Sequence, residues 1–540
     1  MGDWRQDAAD RDAKLHQMDH VDDVVPDMVK TFVVYFYRHI REKNVYEILS
    51  MYETSFQKLT DRFYKASSWP TVNAIAPLVD NDHVFCLLYK EMYYRHLYAK
   101  TSPTLEHRCE SWDNYCALFG VILHGNVNMQ LPNAWLWDMI DEFIYQFQSF
   151  CQYRGKLTTK TPEELEMLKR CDQVWNVLGV LNYLQALITK SDIENTLEKE
   201  AKGEDKFSAN DGYDFDSSNV LRLLGYFSMV GLLRVHCLIG DYHGGLKVFN
   251  AGSSQGGLLT LEAADSANSG MFTKVPGCYI TTLYYTGFSL MMSKRYVDAV
   301  RTFNTILMYI ARTKQMQSRT PGYEQILKKN EQIYALMAIC LSLCSHPVKF
   351  LDESVSQALR EKYTDKMAKM ATGDMQLYDE LFSYACPKFI TPCPPSFEDP
   401  TVNYNQEAFR LQLKCFLTEV KQQTILPTLR SFLKLYTTTS ISKLASFLEL
   451  DEYTLRTTLL TLKQRARQPT TTPGRKVLDF EWVSAVDIDF YIDGDMIHVV
   501  DNKVQRQYGD YFASHILKCE RLAHDLGKIT EVLSGTIAEV

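Results

Sequence analysis

Residues 441–465 read ISKLASFLELDEYTLRTTLLTLKQR. Leu444, Ala445 and Leu448 fall on one side of a first helix, Leu450 fills a corner, and Asp451 is an N-cap residue for a second helix whose Leu455, Leu459 and Leu462 face inward. Downstream, residues 486–501, VDIDFYIDGDMIHVVD, alternate strictly around an Asp-Gly pair, the signature of a hairpin. A two-residue loop at Asp493-Gly494 predicts that Ile488 opposes Val499 and Phe490 opposes Ile497 on one face, with Asp489 opposite His498 on the other. Helix, corner, helix and hairpin together predict a winged helix over 436–504.

A winged helix that reads duplex DNA sets the first turn of its second helix against base edges, with phosphates close by. Here that turn is Asp451-Glu452, and the hairpin adds Asp487, Asp489, Asp493 and Asp495. Between residues 440 and 504 eight Lys and Arg face ten Asp and Glu, which argues against a phosphate-binding surface. The candidate RNA contact is the run Lys463, Arg465, Arg467, Arg475 and Lys476.

Upstream the pattern is helical to about residue 435. Val29, Phe32, Val33, Phe36 and Ile40 mark a helix that begins at Pro26-Asp27, and Val45, Ile48, Leu49, Tyr52, Phe56, Leu59 and Phe63 mark the next. Thr161-Pro162-Glu163-Glu164 is a capped helix start, with Leu165, Leu168, Val174, Trp175 and Leu178 as the expected buried stripe. Residues 202–219 are polar and acidic and read as a linker. Beyond them Tyr242, Gly245 and Phe249 share the spacing of Tyr296, Ala299 and Phe303, each set following a helical segment. An aromatic, a small residue and a second aromatic at this spacing resemble the second helix of a tetratricopeptide unit, with residues 250–278 as an insert. The expected architecture is mainly α: a TPR-like, right-handed helical stack, then a winged helix and a long C-terminal helix. Its expected parts are a flexible acidic 1–24, an N-terminal helical domain 25–201, the linker 202–219, helical repeats 220–435, the winged helix 436–504 and a terminal helix 505–540.

The chain has 540 residues, 46% hydrophobic and 23% charged, with a formal net charge of −8. Such a length calls for more than one compact unit, and the acidic balance disfavours wholesale binding to nucleic acid. The thirteen cysteines contain no C-x-x-C, which predicts neither a disulfide framework nor a zinc ribbon and suits a reducing cytoplasmic compartment. The acidic N-terminus has no apolar core, so no leader is expected. The longest apolar runs in this reading, Val177 to Ile188 and Ile333 to Cys344, fall short of the ~20 residues that cross a bilayer, so no membrane span is expected.

Chemical motifs are weak. Gly252-Ser253-Ser254-Gln255-Gly256 matches the nucleophile elbow, but a helical segment precedes it where the elbow needs a buried strand. His16 and His20 lack the intervening glutamate of a zinc protease, Cys340 and Cys344 sit on an apolar helix near His346, and Cys386 and Cys393 flank a proline-rich loop without a second pair. No catalytic residue, metal site, cofactor or small-molecule substrate is expected.

The terminal segment carries Tyr508, Phe512, His515, Cys519, Leu522, Leu526, Ile529, Leu533 and Val540 near a heptad seam. Tyr508, Phe512, Leu522, Leu526, Ile529 and Leu533 are candidates for partner binding. The first half of the seam can fold back on its own winged helix, whereas the part beyond Leu522 has no internal surface to cover. The second candidate contact is the wing edge, with Asp489, Tyr491, Met496 and His498, since an open strand invites another.

Helical repeats that run into a non-basic winged helix and a terminal helix are the arrangement of the PCI-domain family. The segments VVPDMVKTFVVYFYRHIREKNVYEILSMYETSFQKLTDRFYKASSWP, LLRVHCLIGDYHGGLKVF, YYTGFSLMMSKRYVDAVRTFNTIL and SISKLASFLELDEYTLRTTLLTLKQRARQ resemble, within it, the subunit L family of eukaryotic translation initiation factor 3. The resemblance implies a non-catalytic scaffold that binds other initiation factor 3 subunits, especially K and E, and reaches the small ribosomal subunit, mRNA and initiator tRNA through the complex. The alternatives are a scaffold subunit of a sister assembly, the proteasome lid or the signalosome, and a winged-helix nucleic-acid-binding protein.

Overall fold

The computed structural model describes residues 25–125, 128–201, 207, 218–248, 274–317, 323–344, 350–397, 403–465, 467–470, 480–484, 488–501, 509 and 511–527. The chain is mainly α. Its first helix, α1 (Asp27–Arg41), buries Val29, Phe32, Val33, Phe36 and Ile40, the stripe that the sequence marks. The second expected helix is split. A π turn at Met51–Ser55 separates α2 (Val45–Ser50) from α3 (Phe56–Phe63), and of its seven apolar positions only Ile48 and Leu59 are fully buried.

The short α4 (Val72–Ile75) leads to three long helices, α5 (His83–Lys100), α6 (Leu105–His124) and α7 (Asn133–Arg154). They enclose an aromatic core in which Trp112, Tyr115, Phe143 and Trp175 lie ring to ring. The capping box at Thr161 is formed: Thr161 N–H donates to Glu164 Oε2 at 3.2 Å, and Glu164 N–H to Thr161 Oγ1 at 3.2 Å. The helix it opens, α8 (Pro162–Arg170), is shorter than the expected stripe. Trp175 adopts a positive φ of 50° in the connection and is fully buried, and Asn176 caps a new helix, α9 (Val177–Ser191). The restart rotates the helical phase, so Leu178 is 74% exposed where burial was expected.

After α10 (Ile193–Ala201) the chain reaches α11 (Val220–Ile239), which packs on α7 and α9. Asn219 at its start is fully buried, accepts from Leu131 N–H at 3.0 Å and donates to Leu131 O at 2.7 Å. This helix corrects the sequence estimate of apolar runs. By length and composition it could cross a membrane, a reading that Arg222, Arg234 and His236 conceal, yet 78% of its apolar window is buried inside the protein. It is a core helix.

The repeat pairs α11 with α12 (Tyr242–Val248) and α13 (Pro276–Met292) with α14 (Tyr296–Gln317). The small residues do what their spacing predicts. A Cβ on Gly245 would meet Leu233 Cδ1 at 3.2 Å, and Ala299 is completely buried. Phe249 and the insert up to residue 273, with Ser254, lie outside the described residues; α13 already begins at Pro276, inside the expected insert. The stack continues through α15 (Tyr323–Leu343), α16 (Glu353–Ala371), α17 (Met375–Ala385) and α18 (Glu407–Thr424). One contiguous apolar cluster runs from Val25 to Val420.

A second, separate cluster begins at Leu426. It joins Leu426, Leu429 and Leu433 of α19 (Leu426–Leu435) to Ile441, Leu444 and Ala445 of α20 (Ile441–Leu448), to Leu455, Leu459 and Leu462 of α21 (Glu452–Arg465), and to Phe490 and Ile497. Strand β1 (Thr438–Ser440) precedes α20; β2 (Arg467–Thr470) pairs with β3 (Glu481–Ser484); and β4 (Ile488–Asp493) with β5 (Met496–Asp501) makes the hairpin. The larger sheet has the order β1-β5-β4, antiparallel throughout.

The hairpin register differs from the expected one by two residues. Asp493 pairs with Met496, Phe490 with Val499 and Ile488 with Asp501, so Gly494-Asp495 forms the loop. Gly494 takes φ 57°, and glycine at the first loop position is the residue that tolerates it. A shift of two preserves the side-chain face, so Ile488, Phe490 and Ile497 are still buried together.

Candidate docking surfaces

The corner of the winged helix is built as its residues dictate. Ser440 Oγ accepts from Lys443 N–H at 3.3 Å, Glu449 closes α20 with a φ of 54°, and Asp451 Oδ2 accepts from Thr454 N–H at 3.0 Å. The hydrogen bonds from Thr454, side chain first, hold the Asp451 carboxyl below its usual range, so this turn presents a settled negative charge. The outward side of α21 carries Tyr453, 80% exposed, and Leu460, 62% exposed.

The basic run is divided between internal and external duties. Lys463 donates to Phe490 O and lies 3.3 Å from Asp489, which ties α21 to β4. Arg465 pairs with Glu419 of α18, and Glu419 Oε2 also lies 2.7 Å from Lys294 Nζ. This three-residue clamp spans the two apolar clusters, and its cations hold the Glu419 carboxyl below its usual range against the opposing effect of burial. Arg467 is exposed and lines a 590 Å³ groove with Lys294, Tyr296, Leu426 and Trp482. Arg475 and Lys476 lie outside the described residues.

The wing residues separate in the same way. Asp489 and Tyr491 are exposed on β4, which has one neighbour among the described strands. Met496 and His498 belong to β5, between β1 and β4, so they offer side chains only. His498 stacks on Tyr491 with ring centres 4.8 Å apart, and Met496 is 40% exposed beside them.

Helix α22 spans residues 511–527, and every residue whose burial is described in it is exposed. The expected fold-back of its first half on the winged helix is therefore absent there. Phe512 (59%), Leu522 (62%) and Leu526 (63%) are in solvent, as are Tyr511, Ile516 and Leu517, which a strict heptad reading passes over. Their signal was the spacing of four between Phe512 and Ile516. Tyr508, Ile529 and Leu533 lie outside the described residues. Sequence reasoning also missed Glu419, Lys294 and Trp482, whose roles depend on contacts between residues far apart in the chain.

Of the weak chemical motifs, only the cysteines are among the described residues. Cys340 is fully buried on α15, and burial pushes its thiol well above the usual range. Cys386 is half-buried and Cys393 exposed; His16, His20 and His346 lie outside the described residues. Among the described residues no three His, Cys, Asp or Glu are placed to hold a metal ion.

What the geometry offers is apolar and acidic surface on a helical body. A family model described as RNA polymerase I-associated factor PAF67 matches residues 107–519. A Nematostella vectensis protein named eukaryotic translation initiation factor 3 subunit L is 47% identical over 510 residues, 93% of each chain. The chain belongs to the initiation factor 3 subunit L family. The subunit L of Danio rerio is 47% identical over 553 residues, 98% of this chain and 93% of its own, and that of Homo sapiens is 47% identical over 531 residues, 94% and 91%.

Proposed function

We propose that this chain is a non-catalytic scaffold subunit of cytoplasmic translation initiation factor 3, docking sibling PCI subunits through α22 and the wing. The carrying observation is α22, which carries six large apolar side chains in solvent over its described residues 511–527. A helix with no packed face is marginal alone in water, and its apolar side chains are the part that a partner would stabilise. The partners that fit are helices with apolar seams from the sibling subunits, K foremost and then E, and the ribosome is reached through the assembled factor. The edge of β4, with Asp489 and Tyr491, is the second proposed contact, and the side chains of Met496 and His498 widen it.

Direct RNA binding is the weaker reading. Lys463, though exposed, and Arg465 are engaged within the chain, which leaves Arg467 as the cation of the run whose charge is not given an internal ion pair among the described residues. The test is affinity purification of the tagged full chain and of a chain ending at residue 507, with mass spectrometry of what stays bound. Initiation factor 3 subunits retained by the first and lost by the second support the proposal; equal retention overturns the role of the tail, and proteasome-lid or signalosome subunits overturn the assignment to this factor.

A further inference from the structure

Cys109 on α6 and Cys171, the residue that ends α8, lie 62 positions apart in sequence, yet their sulfurs are 3.9 Å apart. Both are half-buried, so neither is sealed from a small reagent. Their backbones are fixed separately: Cys171 N–H donates to Met167 O at 2.9 Å, and Trp175 Nε1 donates to Arg108 O at 2.9 Å. The same loop is thus already fastened to α6 one residue from Cys109. The remaining approach of about 1.9 Å, from contact to a bonded pair, falls to two side-chain torsions and a helix end. We propose that Cys109 and Cys171 form a dithiol site that small disulfide oxidants of the glutathione class convert to an intramolecular disulfide joining α6 to α8.

The chemistry closes in two exchanges. The Cys171 thiolate attacks the oxidant's S–S bond, forms a mixed disulfide and releases one thiolate. The Cys109 sulfur then attacks the Cys171 sulfur, a protein S–S bond forms, and the second small thiolate leaves with the proton that Cys109 gives up. Two cysteines are oxidised and one disulfide is reduced to two thiols. Cys171 attacks first because Cys109 holds its proton the more tightly. Burial first, and the adjoining Cys171 next, push the Cys109 thiol up to about 12; the Cys171 share is lost once Cys171 is in the mixed disulfide, and Cys109 passes its proton to the leaving thiolate as it closes the bond. Glu110 and Asp113 on its own helix act in the same direction, and Tyr98 of α5 and Tyr153 of α7 face it from the adjacent helices.

The experiment equilibrates the full reduced chain with graded ratios of oxidised to reduced glutathione, blocks free thiols with an alkylating reagent, and maps peptides by mass spectrometry. The expected result is a linked peptide containing Cys109 and Cys171, lighter by two hydrogens than the two reduced peptides together, and a higher thermal midpoint for the oxidised chain. Cys171→Ser removes the link and leaves Cys109 alkylated. Glutathione retained on Cys171 without the link, or both cysteines alkylated while the exposed Cys393, Cys415 and Cys519 carry glutathione, overturns the proposal. The mapping is read on the unmutated chain, so the result does not depend on a variant folding.

Discussion

Helices α11 and α22 are both rich in large apolar residues, and they meet opposite fates. Along α11, sixteen of twenty residues are buried, from Val220 to Leu238. Along α22, every residue with described burial is exposed. Transferring a leucine or phenylalanine side chain out of water contributes ~1.5–3 kcal/mol, so α11 has realised within the chain what α22 leaves unrealised. The two helices contrast a stack that finishes its own core with a tail whose described residues are left in solvent.

The sharpest way to break this contrast is to charge the tail. Phe512→Asp combined with Leu522→Asp should abolish co-purification of sibling subunits, by about a hundredfold or more in affinity given apolar anchors at an interface centre. The isolated chain should melt at an unchanged temperature, because neither residue is in the core. A drop in thermal midpoint would show that α22 packs on its own body.

Glycine to alanine separates the regions by sign. At Gly287 in α13 an added Cβ would stand 2.5 Å from Phe303 Cε1, a fully buried ring, so Gly287→Ala should cost ~1–3 kcal/mol by overpacking. At Gly527 nothing lies within 4 Å, and the same change should strengthen the helix by roughly 0.5–1 kcal/mol. Chemical denaturation measures the first and helical circular dichroism the second. Destabilisation at both positions would erase the distinction.

The clamp between the clusters gives a smaller effect. Arg465→Ala leaves Glu419, 17% exposed at its side chain, with Lys294 and the Gln423 amide, and should cost about 1–2 kcal/mol after allowance for partial exposure. Hydrogen exchange should rise in α20 and α21 before it rises in the stack. Uniform exchange across both clusters would show that the clamp does not join them.

The smallest expected effect is a pH dependence confined to the stack. Arg95 lies among Glu91, Asp138 and Glu142; it pairs with Glu91 and reaches Asp138 at 3.4 Å. Burial raises the Glu142 carboxyl to about 7, with Arg95 opposing and Asp141 and Asp138 adding to the shift. The folded chain therefore holds a proton that the unfolded chain releases near its ordinary value. That contribution is complete in acid and is lost as pH rises through about 7. Thermal midpoints should fall between about pH 5 and about pH 7.5, and Glu142→Gln should flatten the fall. An unchanged slope in the variant would assign the effect to other groups.

Much of this was legible from local pattern. The stripe of α1, the capping box at Thr161, the small residues of the repeat and the inward leucines of α20 and α21 are set by neighbours within one helical turn. The misread features depend on something further away. The helical segment of α11 was read, but Arg222, Arg234 and His236 hid how apolar it is, because Arg234 is neutralised by Asp141, 93 positions away in sequence. The break at Trp175 follows from a φ that the pattern does not encode, and the hairpin register turned on which loop position glycine takes. Within the candidate surfaces, the apolar content of the tail was visible, but the capture of Lys463 and Arg465 inside the chain was not.

Hydrogen exchange of residues 511–527, followed in the isolated chain and again in assembled initiation factor 3, tests the central claim most directly. Exchange close to that of an unprotected helix when alone, slowed at least about a hundredfold on assembly, is the predicted outcome. Equal exchange rates in the two states would contradict it.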